Sequence, residues 1–200
     1  MEFFTENPTN AAIIAIVVSL VGLAFAWQQR TWVLAQDEGN DKMKRLAAAI
    51  QRGAAAFLRR EYRAVAIFVV FVTIVLIGLS QIEDSGMSIW TAVAFVTGAL
   101  ASGVAGYTGM YIAVRANVRT AQAASKSLNQ GLRVAFASGT VMGTLVVTLA
   151  LLGVGALFIL FTNQIDDPFA AASALAGFGF GGTSIAIFAR VGGGIFTKAA

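Results

Sequence analysis

Two cations near the end of this sequence are spaced so that they could handle an anion. Arg190 and Lys198 lie eight residues apart, with Gly194 midway, in the stretch Arg190-Val-Gly-Gly-Gly-Ile-Phe-Thr-Lys198. On a continuous helix these positions fall at i, i+4 and i+8, so both cations share roughly one face over about 12 Å of rise. A Lys ammonium is a compact charge for phosphate oxygens. A fixed Arg inside a channel can gate a passing cation or pair with a carboxylate. The residues alone also allow a plainer reading, in which both cations snorkel to lipid headgroups. The three glycines 192–194 could instead form a loop, and the facing argument would then fail. The Gly-Lys-Ser/Thr pattern of a phosphate-binding loop is absent.

The rest of the composition narrows the chemistry. The 200 residues include no cysteine and no histidine. Disulfides, thiolate catalysis, a His general base and zinc held by His or Cys are therefore excluded. Any metal must be a hard cation held by oxygen, such as Mg²⁺. None of the ten acids is expected deep in an apolar segment, so the sequence offers no catalytic residue, no metal cluster and no intramembrane carboxylate of its own.

Positioning the two cations falls to long apolar segments. The chain is 58% hydrophobic and 12% charged, too little charge to solvate a soluble domain. Five segments, at approximately 11–34, 64–82, 88–114, 132–161 and 168–198, are each long enough to cross a bilayer core of about 30 Å. Nothing alternates with the period of a β-barrel strand. The fold expected is all-α, a polytopic transmembrane helical bundle of five spans. Pro168 suits a helix start, with Asp166 or Asp167 as its cap. The region 1–10 carries Glu2 and Glu6 and no basic residue, which is wrong for a cleaved signal peptide.

The basic residues support that count. All 14 fall on one side of the five-span arrangement. Arg30, Lys42, Lys44, Arg45, Arg52, Arg59, Arg60 and Arg63 belong to the first long loop or its ends. Arg115, Arg119, Lys126 and Arg133 lie in or beside the second, and Arg190 and Lys198 close the chain. The other side has only acids: Glu2, Glu6, Glu83, Asp84, Asp166 and Asp167. The positive-inside rule then predicts an N-terminus outside and a C-terminus in the cytoplasm. The charge of +4 reflects topology, not a nucleic-acid partner. Between the first two spans, Met43, Leu46, Ala47, Ile50, Ala54, Phe57 and Leu58 recur at near-helical spacing. This segment reads as an interfacial amphipathic helix, or as a basic surface beside an anionic substrate. Small residues at Ala94, Gly98, Ser102 and Gly106, and at Ser173, Gly177 and Gly181, predict close helix packing, with the third and fifth spans surrounded by protein.

Four stretches carry a family resemblance. Phe188-Ala-Arg190-Val-Gly-Gly-Gly-Ile-Phe-Thr-Lys198-Ala-Ala200 resembles the fifth transmembrane helix of membrane-bound, ion-translocating inorganic pyrophosphatases. Ile50-Gln-Arg-Gly-Ala-Ala-Ala-Phe-Leu-Arg-Arg-Glu-Tyr62, the stretch from Gly106 to Thr120 and that from Gly131 to Gly139 are similar to the same family, in its order and spacing. The resemblance implies a pump that couples Mg²⁺-dependent hydrolysis of inorganic diphosphate to translocation of H⁺ or Na⁺. It implies a homodimer of roughly sixteen-helix subunits in the membrane (the cell membrane in a prokaryote), with K⁺ as a possible further cofactor. It assigns Arg190 to the ionic gate and Lys198 to pyrophosphate binding. The family's aspartate-rich run, which binds Mg²⁺ and substrate, follows the position of Ala200, so this sequence reads as an N-terminal fragment, inactive alone. The competing readings are a non-hydrolytic multi-span transporter or channel and a structural membrane protein.

Overall fold

The computed structural model describes residues 8–82 and 87–199. Glu2, Glu6, Glu83, Asp84 and Ala200 lie outside the described residues. The described residues form five helices: α1 (Pro8–Leu34), α2 (Asp41–Leu79), α3 (Ile89–Lys126), α4 (Leu128–Gln164) and α5 (Pro168–Ala199). Each is long and apolar enough to cross a membrane, and there is no strand among the described residues. Three buried hydroxyls keep their hydrogen bonds within the helix. Ser19, Thr148 and Ser184 each donate to the carbonyl four residues back, at 2.6, 2.8 and 2.8 Å, as polar groups in lipid must.

The helices outrun the expected spans. α2 is unbroken from Asp41 through the amphipathic stretch to Leu79. It is one rod of about 58 Å, not a separate interfacial helix followed by a span. Asn40 starts it by accepting the Met43 amide at 3.0 Å. The second basic loop is likewise helical. The Ala-rich run 113–126 contains no Gly or Pro, and α3 continues to Lys126. Ser127 alone separates α3 from α4. Its extended backbone breaks the ladder, and its hydroxyl accepts the Gln130 amide at 3.2 Å. At the far side Asp167 caps α5, accepting the Phe169 amide at 2.9 Å with Pro168 as the first helical residue.

α3 is the centre of the bundle and contributes to every buried cluster. Ala94 joins Leu157, Phe161, Ala174 and Phe178 at one end. Ile112 and Ala116 join Val33 and Val141 at the other. Ala99 packs with Val65 and Ile185, and Phe95 with Leu76. The small residues make this possible. A Cβ on Gly98 would overlap the Phe178 carbonyl, one on Gly181 the Phe95 carbonyl, and one on Gly177 the Thr91 carbonyl. α3 and α5 therefore run side by side, in the same direction, at backbone contact. α3 is covered toward α4 and α5, whereas Leu100, Val104 and Tyr107 are exposed. α5 is covered along one face, whereas Phe169, Phe180, Val191 and Ile195 are exposed. Neither α3 nor α5 is therefore enclosed all round by the described residues.

Contacts gather the basic residues at one end. Arg119, 8% exposed, donates to Gln36 O (3.1 Å), Leu34 O (3.0 Å) and Arg115 O (2.7 Å) and pairs with Glu38 at 2.9 Å. It thus satisfies carbonyls at the C-terminus of α1, where a cation also meets the helix dipole favourably. Gly39, at φ +81°, turns the chain beside it. Its amide, first among several influences, holds the exposed Asp37 carboxyl below the usual range. Arg133 lies 5.3 Å from the Trp32 ring. The end of α1, the starts of α2 and α4 and the end of α3 thus meet.

Three outcomes follow for unfolding of the full-length protein in detergent. Gly98→Val or Gly181→Val forces α3 from α5 and is expected to cost about 1–3 kcal/mol. Arg119→Ala orphans several acceptors and is expected to cost more than about 2 kcal/mol. Glu38→Gln, at a half-exposed pair, should cost less than about 1 kcal/mol. Equal losses in these last two would mean that the ion pair, not the carbonyl contacts, holds the turn.

Candidate functional site

The glycines at 192–194 do not form a loop: α5 is helical from Pro168 to Ala199. In a helix interior Gly costs about 1 kcal/mol relative to Ala, but unpaired backbone in an apolar medium costs more. The helix therefore persists, and the facing argument holds.

Two stripes two residues out of phase organise the end of α5. Phe188, Gly192 and Phe196 face α2. The Phe188 ring lies 5.0 Å from Phe68, and Phe196 lies 5.4 Å from Phe57. Between them a Cβ on Gly192 would overlap Glu61 Oε1 and stand 2.9 Å from the Phe57 ring. A two-residue step turns a helix by about 200°, so Arg190, Gly194 and Lys198 are directed away from α2. Arg190 lines a cleft of about 430 Å³ among α3, α4 and α5, together with Ser102, Gly106, Met142, Thr183 and Ala186. Lys198 is exposed two turns further on. Neither cation is in an ion pair among the described residues. A Cβ at Gly193 or Gly194 would meet nothing within 4 Å. The arrangement offers two separated positive charges on one helix face, one bordering an apolar cleft and one outside it.

The comparisons with known proteins decide what this helix belongs to. A family model described as inorganic H⁺ pyrophosphatase matches residues 20–200. The chain belongs to this family. It is 44% identical over 93% of its length to a K(+)-insensitive pyrophosphate-energized proton pump of Methanosarcina mazei. It is 44% identical over its whole length to a K(+)-insensitive pyrophosphate-energized proton pump 2 of Moorella thermoacetica. A pump of the first name from Chloroflexus aurantiacus is 42% identical, again over the whole chain. The chain spans about a quarter of these relatives, 26%, 27% and 27% of their lengths. Family membership and five span-length helices make it an integral, multi-pass membrane protein.

The stretches that resemble the pyrophosphatase family meet at the basic end of the bundle. Tyr62 of α2 donates to Gly103 O of α3 at 2.6 Å and packs edge-on against Tyr107. Ala137 of α4 packs against the cluster that includes Ile112 and Ala116 of α3. Phe57 of α2 meets Phe196 of α5. The Mg²⁺ that the resemblance implies finds no ligand set among the described residues. Mg²⁺ takes carboxylates and phosphate oxygens, and no three acids cluster among the described residues.

Sequence reasoning missed Glu61. It lies inside α2 between Arg60 and Tyr62, and its Oε1 is buried with no hydrogen-bond partner among the described residues. Its position in the Arg-rich stretch suggested a solvated face. The burial comes from Gly192, 131 residues later, which no periodicity connects to it. A carboxylate oxygen buried without a donor is a cost. In thermal unfolding of the full-length protein, Glu61→Gln is therefore expected to leave Tm unchanged or raise it by a few degrees. A clear fall in Tm would show that the charged form has a partner.

Proposed function

We propose that the full-length protein is a pyrophosphate-energised ion pump, coupling Mg²⁺-dependent hydrolysis of inorganic diphosphate to translocation of protons, with sodium ions as the alternative cargo. The observation that carries this reading is the unbroken α5, which presents Arg190 and Lys198 on one face away from α2. The names of the relatives support it. In this reading Lys198 contacts a phosphate of the substrate by a charge-assisted hydrogen bond. Arg190, beside the cleft, is the gate cation that repels or releases a passing ion and pairs with a carboxylate from elsewhere in the protein. The basic end of the bundle faces the cytoplasm, as the positive-inside rule requires. Mg²⁺ is held mainly by residues outside these 200 and neutralises the diphosphate, K⁺ is a further candidate cofactor, and the pump works as a homodimer.

The test is hydrolysis and pumping by the full-length protein in vesicles. Lys198→Ala is expected to raise KM for pyrophosphate by about tenfold or more, the loss of one charge-assisted contact. Arg190→Ala is expected to keep part of the hydrolysis while abolishing the ion gradient. A pH-sensitive dye and ²²Na⁺ uptake separate the two cargoes. Wild-type hydrolysis and pumping in both variants would overturn both assignments. A full-length protein that conducts ions without hydrolysing pyrophosphate would be a channel.

A further inference from the structure

A second basic site lies between α2 and α3 and is lined by no residue of α5. Near the basic end a pocket of about 360 Å³ between the two helices is lined by Arg59, Arg115, Gln51, Tyr111 and the pair Tyr62 and Tyr107. Tyr62 and Tyr107 also border a groove of about 490 Å³ that continues along the same helices between Val65, Val69, Leu100 and Val104. One half carries cations and hydroxyls; the other is almost wholly apolar. The two tyrosines at the junction are amphipathic rings of the kind found where headgroups meet hydrocarbon.

The charges are arranged to receive an anion. The Arg115 guanidinium lies flat on the Tyr111 ring, 3.5 Å from its centre, and spends one N–H on Tyr111 O at 3.1 Å. That stacking fixes the plane of the fork. Arg59 is exposed. Among the described residues no carboxylate lies within 4.0 Å of either arginine. Glu61, the nearest acid in sequence to Arg59, turns its Oε1 to Gly192 of α5 instead. Planar guanidinium groups suit phosphate oxygens.

The depth fits a lipid. Arg115, the first charge after the apolar run from Ile89, lies about 39 Å along α3 from Ile89 and so stands outside a core of about 30 Å, while Tyr107, at about 27 Å, stands at its edge. From Tyr107 to Ala99, the far lining residue, is about 12 Å of helix, close to the half-thickness of about 15 Å of a bilayer core. Val70, Leu100 and Val104 remain 58%, 63% and 56% exposed along the groove. Gly103 widens it, since a Cβ there would meet only the Tyr62 ring at 3.8 Å.

We infer that this composite site binds one anionic phospholipid, its phosphate between Arg59 and Arg115 and an acyl chain in the groove. A free phosphate or pyrophosphate would use the cations but not the groove. The inference needs the membrane setting and a groove left open by the remainder of the full-length protein, and it stands whether or not the protein hydrolyses pyrophosphate.

The test uses the delipidated full-length protein in detergent, offered equal amounts of phosphatidylglycerol and phosphatidylcholine, with bound lipid counted by native mass spectrometry. Wild type is expected to retain phosphatidylglycerol with a preference on the order of tenfold. Arg59→Gln should reduce that preference and Arg59→Gln/Arg115→Gln should abolish it. Gly103→Leu, which keeps both arginines and improves helix propensity, should displace the lipid while leaving the protein folded by circular dichroism. Equal binding of the two lipids by wild type, or an undiminished preference in the double variant, overturns the inference. So does pyrophosphate displacing phosphatidylglycerol from wild type while Gly103→Leu retains it, which would make the pocket a free-anion site.

Discussion

The close approach of α3 and α5 is the contact on which the rest of this structure depends. Hydrophobicity does not hold helices together in a medium as apolar as their own side chains; packing does. Gly98, Gly177 and Gly181 bring backbone against backbone and so set both the rotation and the height of α5. α2 then reads that rotation further along, through Phe68 on Phe188 and Phe57 on Phe196. The direction of the Arg190–Lys198 face is a residue of these two contacts. No hydrogen bond or ion pair among the described residues aims either cation.

The basic end is a second organised region, with a different chemistry. Arg119 is buried because it does for the α1 terminus what water would do in a soluble protein: it satisfies carbonyls that have no intrahelical partner. Arg115, one turn earlier on the same helix, instead stacks on a tyrosine and lines the pocket between α2 and α3. Two arginines four residues apart thus serve structure and surface, and the difference lies in which neighbouring helix ends beside them.

Much of this was legible in the residues. Five helices follow from the length of the apolar runs, the common end of the basic residues from their spacing, and the start of α5 from Asp167-Pro168. The helical reading of α5 also made Arg190, Gly194 and Lys198 a single face. Other features were hidden for a physical reason. Periodicity tells which face of a helix is apolar, but not whether the helix stops when its character changes; α2 passes from amphipathic to fully apolar without a break. Residues 115–126 read as a loop by their charge, although their alanine content favours helix. The Glu61–Gly192 contact joins residues whose sequence contexts say nothing of each other, and Arg119 looked like any other topology signal until the end of α1 was seen beside it.

The two stripes on α5 make its length less negotiable than its composition. Between Gly181, seated on α3, and Gly192, seated on α2, lie ten residues, of which the exposed Ile187 and Val191 could exchange for other apolar side chains. Adding or deleting one of them would swing everything downstream by about 100°. Phe188 and Phe196 would leave their partner rings, and Arg190 would turn into a neighbour's flank. Variation in this segment is therefore confined to replacement: the helix behaves as a ruler whose divisions, not whose material, carry the information.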